Sequence, residues 1–244
     1  MIHQRYRQMY EYEKAHWWYV GRRSLFIELL QIVQLKFPST ILDAGCGTGF
    51  NLTLLSQFGN AYGVDISTEA IHYCHTRGLT RVKKTDGKKF PFKRAYFDLV
   101  TCLDVLEHVE NDRELLVEIK RVLKQKGYLI LFVPAFSLLW SELDVRSHHY
   151  RRYKQTELRN ILELNGFSIS QLGYFNYLLF IPILLVRFWQ KTLFGKKSEW
   201  GFDPVVSNLF MNRLLTFIFH FDVLSALKIS PPFGVSLYVL CTKS

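Results

Sequence analysis

The chain has 244 residues, of which 49% are hydrophobic, enough for the core of one large α/β domain. Its net charge of +10 favours anionic partners, but the basic residues lie in scattered pairs without a nucleic-acid-binding module, so no nucleic-acid partner is expected. Four cysteines without metal-ligand or disulfide spacing predict no metal site and favour a reducing cytoplasm.

The first residues, 1–14, are polar and charged and lack the apolar segment of a signal peptide. The longest apolar run, 177–186, contains Pro182 and is shorter than the roughly 20 residues that span a bilayer. We therefore expect no transmembrane helix. Residues 10–33 are predicted to form a helix or helix pair that carries an aromatic cluster, His16-Trp17-Trp18-Tyr19.

A glycine-rich turn follows the first predicted strand. Ile41 and Leu42 form a short buried strand that leads into a Gly-x-Gly-x-Gly sequence, in which the backbone can turn sharply and approach a ligand. This spacing differs from the Gly-x-Gly-x-x-Gly of dinucleotide sites, which disfavours a dinucleotide-dependent oxidoreductase. The carboxylate of Asp43 would repel phosphate and suits a ligand with positive charge. A turn without any ligand is the alternative.

The segment from Leu42 to Gly49 resembles the first motif of the class I S-adenosylmethionine-dependent methyltransferases, in their type 11-like branch. Their cofactor carries a sulfonium and an ammonium group and no phosphate. The resemblance implies an α/β fold with a doubly wound, seven-stranded Rossmann-like sheet whose last strand, 235–241, is antiparallel. It also implies S-adenosylmethionine as cofactor, with contacts from Asp43, Gly45, Cys46, Gly47 and Gly49.

Acidic residues after two further strands extend the predicted cofactor site. Asp65 ends the second strand, where such sheets hydrogen-bond ribose hydroxyls, and Ile66 follows it. The alternative for Asp65 is a turn or cap before the next helix. Asp86 and Gly87 resemble the family's third cofactor segment, in which an acidic side chain accepts from the adenine amino group. The alternative for Asp86 is a polar turn.

The strand Phe97–Leu103 runs into Asp104 and His108 at the carboxyl edge of the predicted sheet. Ligands of open parallel sheets bind at this edge, so Leu103 and Asp104 are expected at the cofactor. His108 is a candidate base for an acceptor that must lose a proton. A helix is predicted from Asn111 to Gly127, and a strand after it.

The acceptor segment is predicted at His148-His149-Tyr150-Arg151-Arg152-Tyr153. It is similar to an Asp-x-x-x-Gly-His-x-Arg-Arg-Tyr pattern of a methyltransferase branch associated with cell-envelope glycan and lipid modification. The resemblance makes His149 a second candidate base and assigns acceptor positioning to Arg152 and Tyr153. His148 replaces the usual glycine, which leaves the local turn open. The alternative is that these side chains only cap helices and bind scaffold carboxylates.

Many members of the family carry a His-Trp-Trp-x-x-Gly-Arg-Arg segment like that around Trp17, which suggests a lid over the cofactor. Arg22 or Arg23 would then meet the cofactor carboxylate or an anionic substrate. Plain packing onto the sheet is the alternative for the Trp pair. We expect one domain, residues 1–244, with a helical lid, a cofactor-binding core, an apolar helical insertion between the sixth and seventh strands, and a final strand: 1–38, 39–173, 174–232 and 233–244.

The insertion is predicted to contain a helix from Pro182 to Phe194 and a second helix that carries a four-residue repeat of polar side chains, Asn208, Asn212, Thr216 and His220. A cap over the site, a homodimer contact and a surface that dips into a membrane are all open. A membrane surface would place four basic residues at lipid headgroups: Arg187, Lys191, Lys196 and Lys197. The expected acceptor is a small molecule, a glycan or a lipid-linked compound met in the cytoplasm or at the inner membrane face. A non-catalytic, membrane-associated scaffold is the alternative.

Overall fold

A computed structural model describes residues 2–193 and 208–244. Its seven-stranded sheet has the order β3-β2-β1-β4-β5-β7-β6, and aliphatic residues alternate between the two faces of the sheet. The strands β1 to β5 are parallel, and β7 is antiparallel to both β5 and β6. Their bounds are β1 Ser39–Ala44, β2 Gly59–Asp65, β3 Val82–Lys84, β4 Phe97–Leu103, β5 Leu123–Pro134, β6 Phe167–Phe175 and β7 Ser236–Lys243. The predicted Rossmann-like sheet with an antiparallel last strand is confirmed.

Helices cover both faces of the sheet. On one face, Ile41 packs with side chains of α2, α3 and α9, and on the other, Leu42 packs with α5 and α7. The helices are α1 Ile2–Tyr12, α2 Trp17–Val33, α3 Phe50–Leu55, α4 Thr68–Thr76, α5 Asp112–Val122, α6 Glu142–Arg146, α7 Gln155–Leu164, α8 Phe180–Leu193 and α9 Leu209–Ile229. Short 3-10 turns span Leu106–His108 and Ser137–Leu139.

The predicted end of the helix after Asn111 is wrong. The helix ends at Val122, and the chain becomes extended at Leu123, which pairs with Phe97 of β4. Gly127 therefore lies inside β5, beside an irregularity in the register between β4 and β5. A side chain at Gly127 would come within 2.9 Å of the Lys124 carbonyl, so close packing within the strand, and not a helix end, requires this glycine.

Polar side chains of α9 bind the N-terminal part of the chain, and several of its aromatic side chains face outward. Asn212 accepts from the Trp17 amide at 2.9 Å and donates to the Ala15 carbonyl at 2.9 Å, and His220 lies 3.3 Å from the Ser24 hydroxyl. On the opposite side, Phe210 and Phe217 are 73% and 70% exposed. Phe219, Val223 and Ala226 of the same helix are buried in the core, so α9 packs one apolar face against the domain and exposes further aromatic side chains to solvent.

A buried carboxylate fixes α9 to the end of β6. Asp222 accepts from the amides of Asn176 and Leu178 at 2.6 and 2.8 Å. By length and composition the 21 residues of α9 would be able to cross a bilayer, a property that core helices of soluble proteins share. These contacts make the helix part of the folded domain.

Candidate active site

The glycine turn joins β1 to α3 in a backbone conformation that other residues rarely adopt. Gly45, Gly47 and Gly49 have φ angles of 79°, 54° and 85°. A Cβ atom at Gly45 would lie 2.3 Å from the Val105 side chain, so that position has no room for a side chain. The turn brings backbone close to the carboxyl edge of β4, at the position the sequence predicts for the cofactor.

Two buried carboxylates lie beside the turn. Asp65 accepts from the backbone amides of Gly47 and Ser67, each at 2.9 Å. The cap of α4 is made by the Ser67 side chain, so Asp65 supports the turn and is not itself the helix cap. Asp43 accepts from the Thr101 hydroxyl at 2.7 Å, and its burial raises the pKa of Asp43 to about 6. Cys46 is also buried, with its sulfur 3.9 Å from that of Cys74.

An apolar surface continues the site past β2. Ile66 is 64% exposed, and a Cβ atom at Gly87 would lie 3.2 Å from it, so these residues are neighbours. Asp86 is exposed, and its carboxylate accepts from the amides of Lys88 and Lys89 at 2.9 and 3.1 Å. Asp86 therefore stabilises the turn, and its predicted contact with adenine stays a prediction.

The N-terminal helix α1 covers the glycine turn. The Met9 methyl group lies 3.1 Å from the position of a Cβ atom at Gly47. Glu13 accepts from the Thr48 hydroxyl and from Arg77. Neither residue stood out in the sequence, because their partners lie far along the chain. These contacts are consistent with the predicted lid.

Arg22 of α2 binds protein groups at the carboxyl edge of the sheet. Its guanidinium donates to the Asp104 carboxylate and, at 3.1 Å, to the Ser236 hydroxyl, and it lies 5.2 Å from the centre of the Trp18 ring. Asp104 has a φ of 57° and follows Leu103, the last residue of β4. Arg22 thus fixes Asp104. Its predicted contact with the cofactor carboxylate stays a prediction.

His149 and Arg152 share one buried carboxylate, Asp144. The Asp144 carboxylate lies 2.9 Å from His149 Nδ1 and accepts from Arg152 Nε at 2.8 Å. Burial alone would raise the pKa of Asp144, but the bond from His149 and the charge of Arg152 hold it well below its usual range. An ionised Asp144 orients the imidazole of His149.

The turn before His149 keeps the glycine-like conformation without a glycine. His148 has a φ of 56°, and the His149 amide donates to the Asp144 carbonyl at 2.9 Å. Tyr153 is buried, its hydroxyl lies 3.2 Å from the Asp112 carboxylate, and burial raises the pKa of Tyr153. Tyr153 therefore binds a scaffold carboxylate, the alternative left open by the sequence, and its predicted role in acceptor positioning stays a prediction.

Glu107, His108 and His149 converge next to this pair. One potential ligand atom of each lies within 4.8 Å of the others, and the rings of His108 and His149 are 4.6 Å apart. Burial raises the pKa of Glu107 well above its usual range, which favours the neutral acid. If Glu107 is ionised, the three residues have the donor types for a divalent cation. The prediction of no metal stays untested.

The fold defines a Rossmann-like domain whose ligand site, at the carboxyl edge of the sheet, is lined by acidic side chains. Residues 42–131 match a family model described as a methyltransferase domain. An uncharacterized protein of Methanocaldococcus jannaschii is 34% identical over 78% of this chain and 83% of its own length. A ubiquinone biosynthesis O-methyltransferase of Nitrosomonas europaea is 25% identical over 64% of this chain and 78% of its own length.

A solved structure of a SAM-dependent methyltransferase from Archaeoglobus fulgidus shares the fold, with a TM-score of 0.60, 20% identity and coverage of 91% of this chain and 94% of the other. The chain belongs to the class I S-adenosylmethionine-dependent methyltransferases, and S-adenosylmethionine is its cofactor.

Proposed function

We propose that the glycine turn and its two carboxylates hold S-adenosylmethionine. The site fits this group, because the positive φ angles of Gly45, Gly47 and Gly49 form a tight turn at the carboxyl edge of the sheet and the two side chains beside it, Asp43 and Asp65, are acidic. Asp65 would accept from the ribose hydroxyls, Asp43 would favour the cationic groups, and Ile66 would pack against the adenine. The cofactor, when bound, supplies an electrophilic methyl group.

The acceptor is proposed to bind next to His149. The observation that carries this proposal is the 2.9 Å contact between His149 and the buried Asp144, near the carboxyl edge of β4. A carboxylate that fixes one ring nitrogen leaves the other to take a proton, the arrangement of a general base. O-methyltransferases among the relatives favour a hydroxyl acceptor, which must lose its proton. His108, in ring contact with His149, is the second candidate.

We further propose that the acceptor is amphipathic, a small-molecule, glycan or lipid-linked compound, and is met at the cytoplasmic face of the membrane. The outward aromatic side of α9 supports this proposal, as does the net charge of +10. Arg187 cannot serve at headgroups as the sequence predicted, because its side chain points to the buried Asp144. Lys196 and Lys197 lie outside the described residues.

Release of S-adenosylhomocysteine tests the catalytic proposal. Enzyme with S-adenosylmethionine and a total lipid and glycan extract is expected to release it, and His149→Ala is expected to release it more slowly. If the cofactor binds but no extract supports release, the chain is better explained as a non-catalytic scaffold. Binding of a nicotinamide dinucleotide in a fluorescence titration would instead favour an oxidoreductase.

Flotation with vesicles tests the membrane proposal. Wild type is expected to float with phosphatidylglycerol vesicles at low salt, and Phe217→Ser with Phe221→Ser is expected to reduce the floating fraction. The matched control replaces exposed apolar residues of the opposite layer, Val117→Ser with Leu164→Ser, and should float like wild type. Equal flotation of both double variants, or none by wild type, would leave a cap or a dimer contact as the function of this surface.

A further inference from the structure

Arg187 of α8 places a positive charge next to the Asp144 carboxylate, and one of its nitrogens has no hydrogen-bonding partner among the described residues. Its Nη1 atom is buried and lies 4.0 Å from the Asp144 carboxylate, beyond hydrogen-bonding distance. Within residues 2–193 and 208–244, this nitrogen meets no acceptor. The side chain as a whole is 15% exposed, so it lies near the surface.

Asp144 cannot serve as that acceptor, because its oxygens are already used. One oxygen contacts His149 and Arg152, and the other accepts from the amide and the hydroxyl of Ser141 at 2.8 and 3.0 Å. A carboxylate offers about four acceptor positions, and these four contacts fill them. Arg187 is therefore an additional cation beside a carboxylate that is fully bonded.

Two neighbouring arginines have carboxylate partners of their own. Arg22 pairs with Asp104, and Arg151 pairs with Asp112 at 3.1 Å. Burial and the charge of Arg152 lower the pKa of Arg187 to about 10, which leaves it charged at neutral pH. Asp144 offsets only one of the two guanidinium charges beside it, and the buried Nη1 atom of Arg187 has no hydrogen-bonding partner among the described residues, so an anion would complete this site.

We propose that Arg187, with Arg152 behind it, binds a phosphoryl oxyanion of the methyl acceptor. The fork of a guanidinium matches phosphate oxygens, and two guanidinium groups around one carboxylate leave a net positive charge at the site. Asp144 connects this site to His149, so a phosphoryl group at Arg187 would anchor the acceptor beside the candidate base. The inference rests on the proposed function, since it names the chemical class of the acceptor.

Calorimetric titration with inorganic phosphate tests the proposal. The enzyme is first treated with EDTA and saturated with S-adenosylhomocysteine, so that neither a metal nor an empty cofactor site contributes. Wild type is expected to bind phosphate saturably, and Arg187→Gln is expected to bind it about 10- to 100-fold more weakly, the loss of one charged hydrogen-bonding group. Arg187→Lys, which keeps the charge without the fork, should lie between them.

Arg213→Gln on the exposed surface of α9 is the matched control, because it removes the same charge outside the cluster. It should bind phosphate like wild type. Arg187→Gln should stay folded with little change in unfolding temperature, since Asp144 keeps its contacts with His149, Arg152 and Ser141. The inference would be overturned if wild type shows no saturable phosphate binding, or if Arg187→Gln and Arg213→Gln weaken phosphate binding equally.

Two further measurements separate the outcomes. The affinity for S-adenosylhomocysteine should be equal in wild type and all variants. If none of these proteins binds S-adenosylhomocysteine, the proposed function itself is contradicted. Flotation with phosphatidylglycerol vesicles separates the sources of the phosphoryl group. If Arg187→Gln also floats less, the phosphoryl group belongs to a lipid whose headgroup leaves the bilayer surface and enters the site beside Asp144. If it floats like wild type, the phosphoryl group belongs to a soluble phosphate ester.

Discussion

Replacement of Asp65 by alanine should weaken cofactor binding and also destabilise the glycine turn. In the proposed complex, the carboxylate accepts from the ribose hydroxyls, and hydrogen bonds to a charged acceptor contribute about 1.5 to 3 kcal/mol. Their loss should weaken S-adenosylmethionine binding roughly 10- to 100-fold in calorimetry. The change also removes the acceptor of the Gly47 and Ser67 amides, so we expect the free energy of unfolding to fall by about 1 to 3 kcal/mol.

Asp98→Ala is the matched control for the structural part of this effect. Asp98 lies at the start of β4, at the opposite edge of the sheet, and accepts from the Thr40 amide at 2.8 Å. Its removal should lower stability without changing cofactor affinity. Unchanged affinity in a folded Asp65→Ala protein, or an equal loss of affinity in Asp98→Ala, would refute the assignment of Asp65.

Three further changes test the rest of the site. Because Asp43 has a pKa of about 6, affinity for the cationic cofactor should fall as the pH drops through about 6 in calorimetry, and Asp43→Asn should remove this pH dependence. His149→Ala should lower turnover at unchanged cofactor affinity, whereas Arg152→Ala should in addition destabilise the fold, by about 1 to 3 kcal/mol in denaturant titration, because the buried Asp144 loses a charged hydrogen-bond donor. Burial raises the pKa of Glu107 in the folded protein, whereas in the unfolded chain its pKa is about 4.3. Above that pH the unfolded state releases a proton that the folded state keeps, which lowers the free energy of unfolding. Glu107→Gln should therefore raise the melting temperature at pH 8 and leave it unchanged at pH 4.

The cofactor side of the site was predictable because its signals are local. The turn glycines, Asp43 and Asp65 follow directly after buried strands, and parallel strand ends share one edge of the sheet. The turn at His148 was open from the sequence, because a histidine gives no sign of a left-handed backbone that its surroundings impose.

The parts that could not be predicted depend on contacts between distant residues. Glu13 meets Thr48 and Arg77, and α9 turns its polar stripe toward α2, contacts that no local pattern announces. Arg187 was expected at lipid headgroups because it lies on a narrow polar side of an apolar helix, and this was wrong. The position of Asp144 decides its direction.

Transfer of a labelled methyl group tests the central claim most directly. Enzyme with methyl-tritiated S-adenosylmethionine and a lipid and glycan extract should produce labelled material, and His149→Ala at the same cofactor occupancy should produce it at a clearly lower rate. A product labelled at the same rate by both proteins would contradict the role of His149, and the absence of any labelled product with wild type would contradict the proposed methyl transfer to an acceptor of this class.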